Sequence, residues 1–362
     1  MTFSRARLVR ALVAAFAATL VSAPAWVPAP AAAVDTPTAA TADAALRVGT
    51  FNVRCANCSK NPVNSREKSW SVRGPVVAQS IVDERLDVVG LQEASPGLLS
   101  GTKIAQFENL LDLVNERGGS YDVTNDARYN CTRTSSTFSS CGGYLNRGAS
   151  QDARIFYNTQ RLSLEDNGSL RLDGRSIGNG SARYMAWAQF SDRVTGKQFI
   201  FATAHFEPGV SKSKTSVRVK QVKKAIAELN RVNDGLPIIW GSDLASSKLT
   251  HVGNKAYDAF RAAGFTDPLG NTYKSKVIPT SADLTPSTAV NEEYFTLNNF
   301  ASGPKDYVSR GYKLGAHLDY ILVKGNVRTT AWKEVMNLDS GGKFAGVIPS
   351  DHNMVVASVA LA

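Results

Sequence analysis

The 362-residue chain carries 41 Lys+Arg against 31 Asp+Glu, a net charge of +10, and 43% of its residues are apolar. That length and apolar content suffice for one large domain with a substantial core, and neither a repeat nor a second linker interrupts it. Past the N-terminal region no apolar run is long enough to be a transmembrane helix, while the basic balance favours polyanions such as nucleic acid, anionic lipid or cell-wall polymer without choosing among them.

The chain begins with a targeting pattern. Arg5, Arg7 and Arg10 precede an apolar stretch, Ala11 to Val21, too short to span a membrane, and small residues follow with cleavage sites after Ala33 or Ala25. We read 1–33 as a signal peptide, 34–45 as an Ala/Pro/Thr-rich flexible linker and 46–362 as the folded domain of an exported, secreted protein. Without the leader the charge falls to about +7, from 38 Lys+Arg against 31 Asp+Glu. Four cysteines in an exported chain point to disulfides. Three pairings are possible, and proximity favours Cys55–Cys58 with Cys131–Cys141. A zinc site from the same four is the weaker reading, because neither pair has a matching second CxxC.

Leu46–Val53 alternates and ends on polar Asn52, which predicts a strand. Ser69–Glu84 has apolar residues at helical spacing, and Leu86–Glu93 is a short apolar strand closing on a carboxylate. Ile104–Glu116 predicts a second helix. From Tyr121 to Gln151 the pattern fails; Arg128, Tyr129, Arg133, Phe138, Tyr144 and Arg147 interleave cations and rings there, either a substrate-facing surface or a solvated loop. Alternation returns at Ala153–Tyr157, Leu162–Glu165, Tyr184–Phe190 and Gln198–His205, with a hairpin turn over Asp192–Gly196. Ser216–Val232 predicts a helix with a basic face (Arg218, Lys220, Lys223, Lys224). Leu236–Ser247 holds an apolar run of strand length that stops at Gly241, with Asp243 two residues on. A helix around Ala256–Ala263 and a long irregular region to about Gly315 follow. Strands at Leu318–Val323, Ala331–Val335 and Met354–Ala360 close the chain, the last preceded by Pro349-Ser350-Asp351-His352.

Strand ends thus supply Asn52, Glu93, His205, Asp243, Asp319, Asp351 and His352. Oxygen ligands suit Mg²⁺ or Ca²⁺, and a histidine beside carboxylates suits proton transfer near neutral pH. In chain order the residues read Phe-Asn-Val, Trp70-x-x-Arg73, Leu-Gln-Glu, Thr-Ala-His, Gly-Ser-Asp-Leu, Leu-Asp-Tyr-Ile and Ser-Asp-His. This series resembles the endonuclease/exonuclease/phosphatase, or deoxyribonuclease I-like, superfamily from about Leu46 to Ala362. The resemblance implies an α/β (α+β) fold: two packed, mostly antiparallel β-sheets flanked by helices in a four-layer sandwich. It also implies roles. Asn52, Glu93 and Asp351 would hold the metal, Mg²⁺ with Ca²⁺ or Mn²⁺ as alternatives. His352 would be the catalytic histidine oriented by Asp319. Asp243 would position or deprotonate the attacking water, and His205 would donate to a phosphate oxygen. His317, Arg183 and Tyr184 are further candidates near the phosphate, whereas His251 reads as surface.

The Asp243 stretch departs from the pattern twice. Relatives read Gly-Asp-x-Asn, whereas here an extra Ser242 precedes Asp243 and Ala245 stands at the asparagine position. Ser246 or Ser247 substitutes for it, the register shifts, or the protein is weakened. The expectation is a secreted, metal-dependent phosphoester hydrolase, foremost a nuclease. The alternatives are a phosphatase or phospholipase C-like phosphodiesterase on small or lipid phosphoesters, and an inactive binding protein. The expected partner is nucleic acid or another phosphoester, bound by a monomer with no protein partner and no stable membrane insertion.

Overall fold

Central strands of a two-sheet protein are buried on both sides, so they read as apolar runs whose alternate residues enter different cores. Strand β1 (Leu46–Asn52) shows this: Leu46 and Val48 face one core while Phe51 faces another. The computed structural model describes residues 44–130, 148–175, 182–247, 254–270 and 288–362. The predicted leader, linker to residue 43, Cys131, Cys141, Arg133, Phe138, Tyr144, Arg147 and His251 lie outside the described residues.

The first sheet runs β3 (Tyr121–Val123), β4 (Arg154–Asn158), β2 (Val88–Gln92), β1, β12 (Met354–Leu361), β11 (Val327–Val335) and β9 (Thr288–Val290). The second runs β10 (Asp319–Lys324), β8 (Ile238–Asp243), β7 (Gln198–Ala204), β6 (Ala182–Asp192) and β5 (Leu162–Arg175). Among the described residues β1 pairs with β2, β9 with β11 and β7 with β8 in parallel, and the other strand pairs are antiparallel. The sheets are therefore mostly antiparallel, as expected.

Three cores make four layers. Val48, Val355 and Ala357 of the first sheet meet Phe190, Phe201 and Ile239 of the second between the sheets. Helices α1 (Trp70–Asp83) and α2 (Gln106–Glu116) bury Val77, Ile81, Leu110 and Val114 against the outer face of the first sheet. Helices α3 (Lys212–Val232) and α4 (Lys255–Ala262) bury Val222, Leu229, Tyr257 and Phe260 against Trp240 and Ile200 of the second. Burial of this kind contributes roughly 1.5–3 kcal/mol for each large apolar side chain relative to leaving it exposed.

Three local expectations change. The strand predicted at Leu162–Glu165 continues to Arg175 through Glu165-Asp166-Asn167-Gly168-Ser169, polar residues that hide it from a hydrophobicity pattern. It persists because the neighbouring strand β6 supplies the backbone partners, with the register shifting between Leu164 and Asp166. The basic face of α3 loses Arg218, which is buried and donates to the carbonyls of Glu207 at 2.6 Å and Gly209 at 3.0 Å. Arg128 pairs with Glu108, and the Tyr129 hydroxyl donates to the Pro96 carbonyl, so both side chains are engaged within the fold. The Cys55–Cys58 disulfide is formed.

Candidate active site

Sheet register brings the strand-end residues together. Asp319 opens β10 directly opposite Asp243 at the end of β8, and His205, just past β7, forms a parallel bridge with Asp243. On the other sheet Asn52 ends β1, Glu93 follows β2, and Asp351 and His352 lead into β12. A cleft of about 560 Å³ opens where these ends meet, lined by Asn52, Glu93, Arg183, His205, Asp243 and His352. Pro208 to Val210 form one flank, and Phe295, Leu297, Asn299 and Lys305 also line it.

His352 is held from behind. His352 Nδ1 lies 2.9 Å from Asp319 Oδ2, so an Nδ1–H donates to the carboxylate and Nε2 faces Asp243 Oδ2 at 3.9 Å. Burial disfavours its charged form, yet the Asp319 and Asp243 carboxylates outweigh that and hold His352 well above the ordinary histidine value. Burial likewise pushes Asp243 up, but His352 and His205 bring its carboxyl below the usual range. Two hydrogen bonds help: Asn52 Nδ2 donates to Oδ2 at 3.1 Å and the Ala245 N–H donates to Oδ1 at 2.7 Å. Asp243 is thus an ionised acceptor at neutral pH.

His205 is oriented by a residue that the sequence patterns do not single out. Its Nδ1 lies 3.3 Å from Asp152 Oδ2, which leaves Nε2 turned toward Asp243 Oδ2 at 3.6 Å. Arg183 Nη1 sits 3.6 Å from the same Asp152 oxygen, and His205 and Arg183 overcome burial to keep the Asp152 carboxyl low. Asp152 precedes a strand, and nothing in its neighbourhood marks it; its partner lies 53 residues away.

Opposite stand Asn52, Glu93 and Asp351. Asn52 Nδ2 lies 3.4 Å from Glu93 Oε1, and the backbone N–H of Cys55 donates to Glu93 Oε2 at 2.9 Å. Glu93 adopts a left-handed backbone, φ 57°, which turns its side chain into the cleft edge. Burial raises the Asp351 carboxyl, and repulsion from Glu93 adds to the rise against His352 and Arg54, whose guanidinium is 3.6 Å away. Two carboxylates that repel each other beside an amide are a donor set that a hard cation relieves. Asn52 Oδ1 accepts from the Arg54 N–H at 3.1 Å, which leaves the amide oxygen a further lone pair to offer a cation. A second tight group, Asp243, Asp319 and His352, brings its ligand atoms within 4.8 Å of one another. There the histidine already carries protons on behalf of both carboxylates, so proton transfer suits it better than ligation. Cys55 and Cys58, near Glu93, are joined to each other, and their sulfurs are not thiolate ligands.

The remaining candidates divide. Arg183 lines the cleft as expected. Tyr184, the next residue on β6, is buried and does not line it, because successive strand residues point to opposite faces. His317 is also placed away from the cleft: Ala316 and Leu318 line it, while His317 stacks on Trp332 at 5.2 Å and places Nε2 2.9 Å from the Glu292 carbonyl. At the departing position Ala245 itself lines the cleft, with φ 50°, and Ser246 and Ser247 are buried without lining it. The register is not shifted, and neither serine faces the cleft in place of the asparagine.

No family model matches the sequence, and no curated protein matches it. Solved structures do resemble the fold. An endonuclease/exonuclease/phosphatase family protein from Bacteroides thetaiotaomicron superposes with a TM-score of 0.60 at 19% identity, covering 87% of this chain and 97% of that one. A mannosyl-6-phosphatase from the same species gives 0.56 at 19% identity, covering 87% and 99%. D. rerio TDP2, complexed with a single-strand DNA product, gives 0.51 at 13% identity, covering 88% and 99%.

Proposed function

From the endonuclease/exonuclease/phosphatase fold and the residues gathered in its cleft, we propose that this chain is a metal-dependent phosphoester hydrolase, and foremost a nuclease. The observation that carries the reading is the line Asp319–His352–Asp243, which turns His352 Nε2 toward Asp243 in a cleft that Asn52 and Glu93 also line. Asp243, kept ionised, accepts a proton from the attacking water and points its oxygen at phosphorus. Protonated His352, with His205 and Arg183 beside it, takes up the negative charge that builds on the phosphate oxygens. Water adds on one side of phosphorus as the ester oxygen leaves on the other, so no covalent intermediate with the chain is required. Asn52, Glu93 and Asp351 would hold Mg²⁺, Ca²⁺ or Mn²⁺, which when bound supplies Lewis-acid stabilisation of the phosphate charge.

The nuclease reading is supported by the positive net charge and by the N-terminal leader pattern, from which we infer export. A second reading, a phosphatase on small phosphoesters, is supported by the like-folded mannosyl-6-phosphatase. Purified protein incubated with plasmid DNA, RNA, sphingomyelin and p-nitrophenyl phosphate, with Mg²⁺ or EDTA, separates them. Cleavage of nucleic acid, abolished by EDTA and by His352→Ala, is the expected result. Turnover of the small ester alone would establish the phosphatase instead, and no turnover of any substrate would favour a binding protein.

A further inference from the structure

Phe295 and Lys305 belong to the cleft wall and also begin a surface strip that leads away from it. The Phe295 N–H donates to the Lys305 carbonyl at 2.8 Å, and Tyr294 and Asp306 form an antiparallel bridge beside them. Outward from Phe295 the rings continue: Tyr307 meets it edge-on with centroids 4.5 Å apart, and Tyr312 follows at 5.8 Å from Tyr307. The Arg310 guanidinium lies 4.7 Å over the Tyr307 ring. All three rings are half-buried, while Lys305, Arg310 and Lys313 are exposed. Tyr312 packs against the inter-sheet core and anchors the strip. Of the acids nearby, Asp306 turns an oxygen back to the Val308 N–H at 2.8 Å, and Glu292 and Glu293 precede the first ring.

Rings interleaved with cations, continuous with a hydrolytic cleft, match one ligand chemistry. Any unpaired base has a face to stack on a ring, and the cations follow its phosphates. A duplex hides those faces, and a sugar phosphate has no run of bases to stack on them. We propose that the strip Phe295–Lys313 binds the single-stranded stretch of a polynucleotide flanking the phosphate in the cleft. The proposal rests on the hydrolase reading for that phosphate and adds where the rest of the strand lies.

The test is binding of fluorescent single-stranded oligonucleotides, followed by anisotropy in EDTA so that nothing turns over. The double variant Tyr307→Ala/Arg310→Ala is expected to bind an octanucleotide at least about tenfold more weakly, the loss that removing one base–ring stack and one phosphate contact gives. Its salt dependence is expected to be shallower, and a dinucleotide, with too few bases and phosphates to cover the whole strip, is expected to lose far less. Tyr307→Trp should retain the wild-type affinity. Lys223→Ala on α3 controls for charge alone, and thermal unfolding of each variant controls for folding. Unchanged octanucleotide affinity in a folded double variant would overturn the proposal, as would an equal loss in Lys223→Ala. If the wild type hydrolyses p-nitrophenyl phosphate but binds no octanucleotide, the strip fails and the hydrolase stands. If it binds the octanucleotide through these residues yet hydrolyses nothing with Mg²⁺, the hydrolase fails and the strip stands.

Discussion

At the scale of single residues, Ala245 is where chemistry and backbone conformation meet. A left-handed backbone costs an ordinary L-residue about 1–2 kcal/mol, which asparagine partly escapes by local hydrogen bonding. Ala245 accepts that cost at φ 50° while offering only a methyl to the cleft. Ala245→Asn is therefore expected to raise metal-dependent kcat at least about tenfold, given that a preorganised hydrogen bond of this kind is typically worth 10²–10³ in rate. Ala245→Gly separates the two effects: it relieves the backbone and raises the unfolding midpoint without a gain in kcat. Steady-state kinetics and thermal unfolding of both variants check this. The departure at Ala245 was legible in the sequence, since one position in a short motif either carries an amide or does not. The orienting role of Asp152 was not, because it exists only once His205 lies beside it.

At the scale of elements, β11 and β12 support the loop that carries His352 through a buried acid. Glu334 on β11 is fully buried, and its Oε1 accepts from Asn353 Nδ2 at 2.6 Å, directly after His352. Burial pushes the Glu334 carboxyl up from 4.5 to about 8, the Asn353 bond opposing and Asp319 adding to the rise. The folded protein keeps this proton between those values and the unfolded chain does not. Stability therefore falls as pH rises through that window, by up to about 1.4 kcal/mol per pH unit from this group. Glu334→Gln, neutral at every pH and still able to accept from Asn353, is expected to flatten the decline and to be the more stable form at pH above about 8. Urea unfolding at several pH values reads the slope; equal slopes in both proteins would show that Glu334 is not the group responsible. Elements of this kind were legible where burial leaves an apolar pattern, as at β1 and β8. The polar middle of β5 and the short strands β3 and β9 were not, because partners distant in sequence hold them.

At the scale of the whole molecule, the cleft exists because two sheets approach closely just beneath it. Gly90 on β2 makes this possible: a Cβ there would lie 2.7 Å from Thr203 Oγ1 and 2.8 Å from the Gly241 carbonyl. Beside it Gln92 Nε2 donates across the sheets to Thr203 Oγ1 at 2.8 Å. Gly90→Ala is expected to force the sheets apart, costing about 1–3 kcal/mol in stability. Activity should fall further than stability alone accounts for, because Asn52 and Glu93 ride on one sheet and His205 and Asp243 on the other. Urea unfolding together with turnover of p-nitrophenyl phosphate checks both, and a fully active, equally stable variant would contradict this account of the packing.

The sequence by itself determined which residues stand at strand ends, because alternation and the stop at a polar residue are local properties. It thereby identified Asn52, Glu93, His205, Asp243, Asp319, Asp351 and His352 as one set. Only the tertiary structure decided which atoms meet: His352 with Asp319 across 33 residues, His205 with Asp152 across 53, Asn52 with Asp243 across 191. It also turned Arg183 into the cleft and Tyr184 out of it, and moved His317 away from the cleft to a core tryptophan. The physical reason is that strand periodicity sets which residues share a face, whereas sheet register and the packing of one sheet on the other set what that face confronts.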